Sequence, residues 1–468
     1  MTQATEEATR TWTLGLTALA SLLAALDVMA VSTALNAIQR DLGASLDQLQ
    51  WTLNAYTLSF AVLQSTAAAL GDRFGRRRLF TSGLAVFVIA SAACALAPNA
   101  GALIAARVVQ GAGAAIILPL ALALLSAAFP PERRGSALGV YSGVTALSAV
   151  IGPVVGGAIA QGFAWQWIFW LNLPIGLLIL VLSFGRIRES FGPPAALDIG
   201  GVLLATIAAF GLVWGLVRGG EAGWDSAEVL VSLAGGILLA IAFIAWELRA
   251  PAPMMPMRLF RLRAFSAGNA SMFLLNASLL GAIFFMAQFM QVSLGGNPLE
   301  AGLRLLPWGV ALALVAPWAG RIASWIGARN VVVGGLILKA GGLAWIALLA
   351  RPGLPYGEMI APMIMAGAGF AAAIPLVQRS VVGAVAANDI GKASGALSTI
   401  RQLGGAFGVA IAVAMFSRAG NYATPQSFSD GFAAAIGVAA ALSLMAAFVA
   451  TGLPGPQGVA LAPAKAKA

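Results

Sequence analysis

Apolar runs of about twenty residues, the length that crosses a bilayer as one helix, recur through the whole chain. They fall near 13–36, 49–70, 79–97, 101–126, 136–161, 167–185, 198–218, 227–247, 265–292, 300–320, 330–350, 358–378, 392–417 and 430–452. The runs lack apolar/polar alternation and are rich in Ala and Leu, so they predict helices and not strands. The pattern therefore predicts an all-α membrane protein with fourteen transmembrane helices and both termini on one side. Residues 1–12 are polar and the tail 454–468 is rich in Pro, Gly and Ala. Both ends are expected to be disordered. The first run holds Asp27 and no convincing cleavage site follows it, so it is expected to be a span and not a cleaved leader.

Composition agrees: 60% of the residues are hydrophobic and 9% are charged, where a soluble domain carries about a quarter charged. The net charge of +10 would suggest nucleic acid in a soluble chain. Here it sits mostly in short loops and orients the protein in the bilayer. With the N-terminus cytoplasmic, arginines and lysines crowd the cytoplasmic ends, and the opposite side holds only Arg40, Arg218, Arg351 and Arg418. That asymmetry predicts a multi-pass protein of the inner (plasma) membrane with cytoplasmic termini. There is no histidine and one cysteine, Cys94. No intramolecular disulfide is possible, and no metal or cofactor set is expected.

Two longer connections, Arg186–Leu197 and Arg249–Arg263, carry prolines and arginines and bracket the seventh and eighth runs. Without that pair the chain divides six and six, and the halves echo each other. Gly111-Ala-Gly113 with Pro119 recurs as Gly367-Ala-Gly369 with Pro375. Gly75 and Arg77 recur as Gly327 and Arg329, and Gly156-Gly157 has a counterpart in Gly404-Gly405. The expected organisation is a bundle over 13–186, inserted helices with linkers over 187–263, and a second bundle over 264–453, the arrangement that exposes a central site alternately to each side.

The connection Gly71–Phe80, GDRFGRRRLF, has four arginines, an aspartate and two glycines between apolar runs. It must be a tight turn at the cytoplasmic surface. Asp72 is placed to pair with an arginine or a helix N-terminus. An anchoring role is enough to explain the stretch; a gate built from Asp72, Arg73, Gly75, Arg76 and Arg77 is the second possibility.

These residues resemble the major facilitator superfamily, and within it the fourteen-helix drug:proton antiporters. Gly71–Phe80 is similar to that superfamily's signature between helices 2 and 3. Leu103–Ala115, LIAARVVQGAGAA, is similar to the helix 4 signature with its arginine at Arg107. Gly152-Pro153 with Gly156-Gly157 resembles the antiporter signature of helix 5. Leu26-Asp27 through Ala34-Leu35, Trp165–Gly176 and Arg401–Gly408 resemble the fourteen-helix group. Ala68, Asn36 and Ser148 depart from the signatures, where glycine, proline and glycine are usual. The resemblance implies proton coupling through Arg107 and a helix 5 that seals the cavity against leak.

Asp27 is the one acidic residue expected near the middle of a run. A charge there is costly unless paired or hydrated, and is a functional candidate by default. Ala20, Ala24, Ala30 and Ala34 share its face, which leaves room for water or ligand; the alternative is a structural acid satisfied by an arginine or a hydroxyl. Arg107 cannot carry the proton itself, but by approaching or leaving it can shift a neighbour's pKa; the alternative is a permanent ion pair. Candidate cavity residues are Asn54, Gln110, Asn269, Phe273, Asn276, Phe284, Gln288, Ser398 and Arg401, because amides beside Phe and Met suit a pocket that accepts several shapes. Ordinary helix packing explains the Phe residues equally well. Lys339 falls near mid-run with no evident partner, and Arg304 is spaced to pair with Glu300.

The leading expectation is a monomeric, proton-driven exporter of small amphipathic compounds by alternating access. A transporter of lipids or anionic amphiphiles is the alternative, since Arg107, Lys339 and Arg401 outnumber Asp27. A membrane enzyme would need a nucleophile–base pair, a metal cluster or paired acids, which this composition does not offer. A receptor or scaffold would need a soluble domain, and no loop is long enough.

Overall fold

The computed structural model describes residues 3–192, 198–251, 253–386 and 389–455, and all regular structure among them is helical. The helices are α1 (Gln3–Leu42), α2 (Leu46–Phe74), α3 (Arg76–Ala95), α4 (Ala100–Ala128), α5 (Pro131–Ala146), α6 (Ser148–Gly162), α7 (Trp167–Trp170), α8 (Asn172–Arg186), α9 (Ile199–Ala222), α10 (Ala227–Glu247), α11 (Arg263–Val292), α12 (Pro298–Arg304), α13 (Leu306–Ile326), α14 (Ala328–Leu349), α15 (Tyr356–Gly383), α16 (Ile390–Ala419) and α17 (Pro425–Ala450). Among the described residues, twelve helical segments are long and apolar enough to cross a membrane by length and composition. That is two fewer than the fourteen apolar runs. α2 and the α5–α6 pair fall outside the set.

Other interruptions have a chemical cause. Pro174 and Pro307 cannot donate to the carbonyls four residues back, and the chain turns at Leu171 and Leu305 just before them. The polar N-terminus differs from the expected disorder: α1 begins at Gln3, and an Arg10–Glu6 pair (3.3 Å) runs along its first turns. The expected disordered tail lies, from residue 456 on, outside the described residues. Ser45 with Gln48 and Asn297 with Glu300 form capping boxes that start α2 and α12.

The helices form two sets of contacts. α1 packs on α4, α5, α6 and α8, and α4 also packs on α2 and α3. α11 packs on α15, α16 and α17, while α14 packs on α15 and α17. The sets meet where α6 touches α12 and α13, where α2 lies along α16, and where α1 touches α11. α9 and α10 pack on each other, and α9 also lies against α2 and α16. α10 is the most exposed span, with Val231 and Leu238 uncovered. Leu348 and Phe448 are also bare apolar side chains on the outside, as a lipid solvent permits.

The internal echoes are packing echoes. Gly75 and Gly327 both take positive φ (108° and 88°) at the turns into α3 and α14, a conformation that side chains with a Cβ rarely adopt. A Cβ at Gly111 would run into the backbone of Tyr56, and one at Gly367 into that of Trp308; these two residues each stand nineteen before the positive-φ glycine. Gly113 lies against Gly83 and Phe87 as Gly369 lies against Gly335 and Lys339. One correspondence needs correction. Gly156 abuts Ala30 as Gly408 abuts Ala277, and Gly152 is close to Leu26 as Gly404 is to Phe273. The repeat therefore matches Gly152 with Gly404 and Gly156 with Gly408, and Gly157 does a different job.

Candidate functional site

Asp27, on α1, lies fully inside the molecule. Arg107 of α4 forms an ion pair with it through Nη1 and Oδ2. Gln110 Nε2, one helical turn further on, donates to Oδ1 at 2.9 Å, and Asn172 Nδ2 of α8 donates to the same oxygen at 3.0 Å. All three contacts to the carboxyl oxygens come from N–H donors, which suits a carboxylate. The partners are tied in turn. Arg107 Nη1 reaches Gln110 Oε1 (2.6 Å) and its Nε reaches the Thr52 carbonyl of α2 (3.0 Å). Ser91 Oγ of α3 accepts from Gln110 (2.9 Å) and Asn172 (3.2 Å). The guanidinium lies 4.4 Å from the centre of the Tyr56 ring, and the Tyr56 hydroxyl donates to the Ala24 carbonyl (3.0 Å). Five helices thus converge on one buried charge pair. Removing one partner of such a pair costs about 3–5 kcal/mol, because the other is left buried and uncompensated.

The small face around Asp27 is not open space. Ala20, Ala24, Ala30 and Ala34 are all buried, and Gly152 and Gly156 of α6 pack on that stretch of α1. The spacing of the alanines marked a helix–helix seam, since small side chains let backbones close on each other. Asn172, Ser91 and Tyr56 were missed as partners. An asparagine inside an apolar run is a usable signal; a serine or a tyrosine there is not.

The Gly71–Phe80 signature is a clasp. Asp72 pairs with Arg76 Nε at 2.8 Å, and Arg76 N donates to the Ser190 carbonyl (2.9 Å). Glu189 caps α3: its carboxylate accepts from the backbone of Arg77 (2.8 Å) and Arg78 (3.2 Å). Arg77 Nη1 donates to the carbonyls of Phe184 and Ile187, each at 3.2 Å. Arg73 lies 5.3 Å from the Phe74 ring. These partners lie between residues 72 and 190. Of the two partners anticipated for Asp72, the arginine holds it and Glu189 takes the helix N-terminus.

In the helix 5 signature, Gly152 and Gly156 face α1. Gly157 faces α12, where a Cβ would meet the backbone of Pro298 and Leu299, and reciprocally Gly302 abuts the backbone of Pro153. α6 therefore seals two contacts, one within its own set of helices and one across the join.

The candidate cavity residues do not all gather. Asn276 donates to the Arg401 carbonyl (2.7 Å), and the Phe273 ring lies tilted against Phe407 with centroids 5.6 Å apart, so both lie where α11 meets α16 with Ser398 and Arg401 half-buried on that helix. Asn269 donates to the Phe265 carbonyl (2.9 Å). Asn54 is buried with neither amide atom hydrogen-bonded, and Asn36 of α1 is in the same condition. Three residues lie elsewhere. Gln110 belongs to the Asp27 network. Phe284 packs on Phe285 in an aromatic cluster with Phe416 and Phe428. Gln288 Oε1 accepts from the Tyr422 hydroxyl, whose pKa burial pushes up. The reason is geometric: α11 is 30 residues long, and one helical face meets different neighbours along its length.

Lys339 does not snorkel. It is fully buried, its Nζ donates to the Leu275 carbonyl of α11 (3.0 Å) and it lies 5.5 Å from the Phe370 ring. Arg304 pairs with Glu300 at 3.4 Å, as its spacing indicated. No cluster of metal-ligating side chains occurs among the described residues.

A helical, multi-pass molecule with a charge network sealed in its interior is the framework of a membrane transporter. The chain belongs to the major facilitator superfamily, which residues 17–409 match. It is 36% identical to the tetracenomycin C resistance and export protein of Streptomyces glaucescens over 88% of this chain and 77% of that one. It is 33% identical to the multidrug resistance protein Stp of Mycobacterium tuberculosis, with coverages of 86% and 75%. Among solved structures, a D-xylose–proton symporter superposes with a TM-score of 0.69 at 16% identity, covering 96% of this chain and 99% of that one. At that identity the likeness concerns the fold alone.

Proposed function

We propose that the protein is a proton-coupled multidrug antiporter that exports small amphipathic compounds from the cytoplasm by alternating access. The observation that carries this reading is the buried Asp27–Arg107–Gln110–Asn172 network in a chain whose relatives are resistance and export proteins. In this reading fourteen helical units cross the inner membrane with both termini cytoplasmic, adding α2 and α5–α6 to the twelve apolar spans. Residues 13–186 and 264–453 form two six-helix bundles, 187–263 an inserted hairpin, and the unit is a monomer. The repeated glycine contacts support the two-bundle organisation. With the arginine-rich loops cytoplasmic, the α6–α12 join lies at the outer end.

Asp27 is the proton carrier in this mechanism. Ionised, it holds Arg107, Gln110 and Asn172 and ties α1 to α4 and α8. A proton arriving from outside removes that charge, releases the guanidinium, and lets the helices exchange partners while the compound leaves. Loss of the proton to the cytoplasm restores the pair. Each pH unit supplies about 1.4 kcal/mol for one-to-one exchange.

The test is transport in proteoliposomes under an imposed pH gradient. The wild type is expected to accumulate an amphipathic dye uphill. Asp27→Asn keeps the shape, and is expected to abolish uphill transport while retaining downhill exchange. Full proton-driven accumulation by Asp27→Asn across a pH series would remove Asp27 from the mechanism. A second reading, transport of lipids or anionic amphiphiles, is favoured by Lys339 and Arg401, which have no carboxylate partner among the described residues; an anionic and a cationic dye compared in the same assay separate the two.

A further inference from the structure

The inserted hairpin is closed at its base by two acids. Asp198 caps the start of α9, and Glu247 is the last residue of α10. Three N–H donors hold the Asp198 carboxylate. Gly201 N (2.8 Å) and Trp246 Nε1 (2.7 Å) donate to Oδ1, and Met254 N donates to Oδ2 (3.4 Å). Glu247 is only 3% exposed, and its Oε2 accepts from Met255 N (3.0 Å). Its other oxygen, Oε1, is buried and accepts from no donor. That bare oxygen is aimed at Asp198. A Cβ on Gly201 would lie 2.6 Å from Asp198 Oδ2 and 2.7 Å from Glu247 Oε1, so the two oxygens flank one point that the missing side chain leaves open.

Two carboxylates so placed need a counter-charge or a shared proton. The other charged groups at this end of the elements around the pair are Asp72 and Arg73 of α2, Asp389 and Lys392 at the start of α16, and Arg249, Arg258 and Arg261 of the connection to α11. Among the described residues none of them forms an ion pair with Asp198 or Glu247. Asp72 takes Arg76, and Asp389 takes Arg258 at 2.6 Å. A metal ion would need more oxygen ligands than this, and no third metal-ligating side chain joins the two acids among the described residues. A proton needs two oxygens only, one to carry it and one to accept it.

We propose that Asp198 and Glu247 share one proton between Oδ2 and Oε1, and so form a proton-binding site separate from Asp27. With the proton in place, an O–H···O bond joins the two ends of the hairpin and Glu247 Oε2 keeps Met255. When the proton leaves, the two carboxylates repel each other, Glu247 turns to water and the Met255 N–H loses its acceptor. The site thereby governs the connection to α11, where Met255 and Leu259 pack in one cluster with Phe265, Val381 and Ala393. In the proposed orientation this end faces the cytoplasm, so the connection is fastened at acid cytoplasmic pH and loosened at alkaline pH. Neither acid shares a partner with Asp27, so the site does not depend on the transport reading.

Hydrogen exchange and infrared spectroscopy of the full chain in detergent, across a pH series, test this. After correction for the intrinsic pH dependence of exchange, protection of the wild-type segment 254–262 is expected to fall about tenfold from mildly acid to mildly alkaline pH, the scale of one hydrogen bond. Glu247→Gln sets an amide donor against Asp198 in place of the proton, and is expected to keep the protection at every pH. The infrared carbonyl band of a protonated carboxyl should titrate over the same range in the wild type. It should be missing from Glu247→Gln and present in Asp27→Asn. Wild-type protection that does not change with pH, or an equal fall in folded Glu247→Gln, overturns the proposal. So does a titrating band that survives in Glu247→Gln or disappears in Asp27→Asn. If Glu247→Gln does not fold, the wild-type exchange series decides, together with the band, which should then be missing from Asp198→Asn.

Discussion

Asp27 accepts donors from α4 and α8, so its value to the fold is read best through the partner that cannot lose its charge. Arg107→Met leaves an ionised carboxylate buried beside two amides, and is expected to destabilise by about 3–5 kcal/mol. Asp27→Asn together with Arg107→Met removes both charges, and should cost less than the two single changes added, by about 1 kcal/mol or more. Thermal unfolding of the four proteins in one detergent measures this; strict additivity would mean that the pair is not coupled. Lys339 is the opposite case. Its ammonium meets one backbone carbonyl and a ring, too little to offset burial of a charge. Lys339→Met is therefore expected to stabilise by about 1 kcal/mol or more, and a fall in unfolding temperature would show that the amine holds α14 to α11.

At the scale of elements, the clasp at the start of α3 rests on Glu189, which supplies the acceptor that Gly75 lacks. Glu189→Ala is expected to cost about 0.5–2 kcal/mol, the worth of a helix cap, and to raise hydrogen exchange in the first turn of α3; unchanged exchange would give the turn to Asp72–Arg76 alone. The hairpin α9–α10 gives a topological test. In the proposed orientation its connection, Gly223–Ser226, is outside. A cysteine at Ser226, in a Cys94→Ala background, should react with an impermeant thiol reagent added to intact cells. Labelling only in inverted vesicles would reverse the orientation.

For the whole molecule the decisive contact is the join of α6 with α12, where Gly157 and Gly302 let two backbones touch. A side chain there must push the join open. Gly157→Leu is expected to shift the population toward the state in which α6 and α12 are apart. Spin labels on the first turn of α12 and the last turn of α6 would report longer distances. A distribution identical to the wild type would mean that the join is not the gate.

Helix content, the crowding of arginines and the glycine echoes were legible in the sequence because each depends on local chemistry. A run of twenty apolar residues has no other place to go, and a glycine that takes positive φ or touches another backbone is marked by its own lack of a Cβ. Asp27 and Arg107 were also legible, since a charge in an apolar run must be accounted for. Their company was not. Asn172, Ser91 and Tyr56 come from three other helices, and Glu189 reaches Arg77 across more than a hundred residues. No periodicity along one helix says which neighbour faces it. The same limit explains the candidate cavity residues of α11: Asn276 and Phe273 met one stretch of α16, while Phe284 and Gln288 met the aromatic cluster of Phe416, Tyr422 and Phe428. A chain of amino acids determines which positions must be buried, paired or close-packed. Which of them share a neighbourhood was decided only when the helices packed, because that choice depends on the shapes of all of them at once.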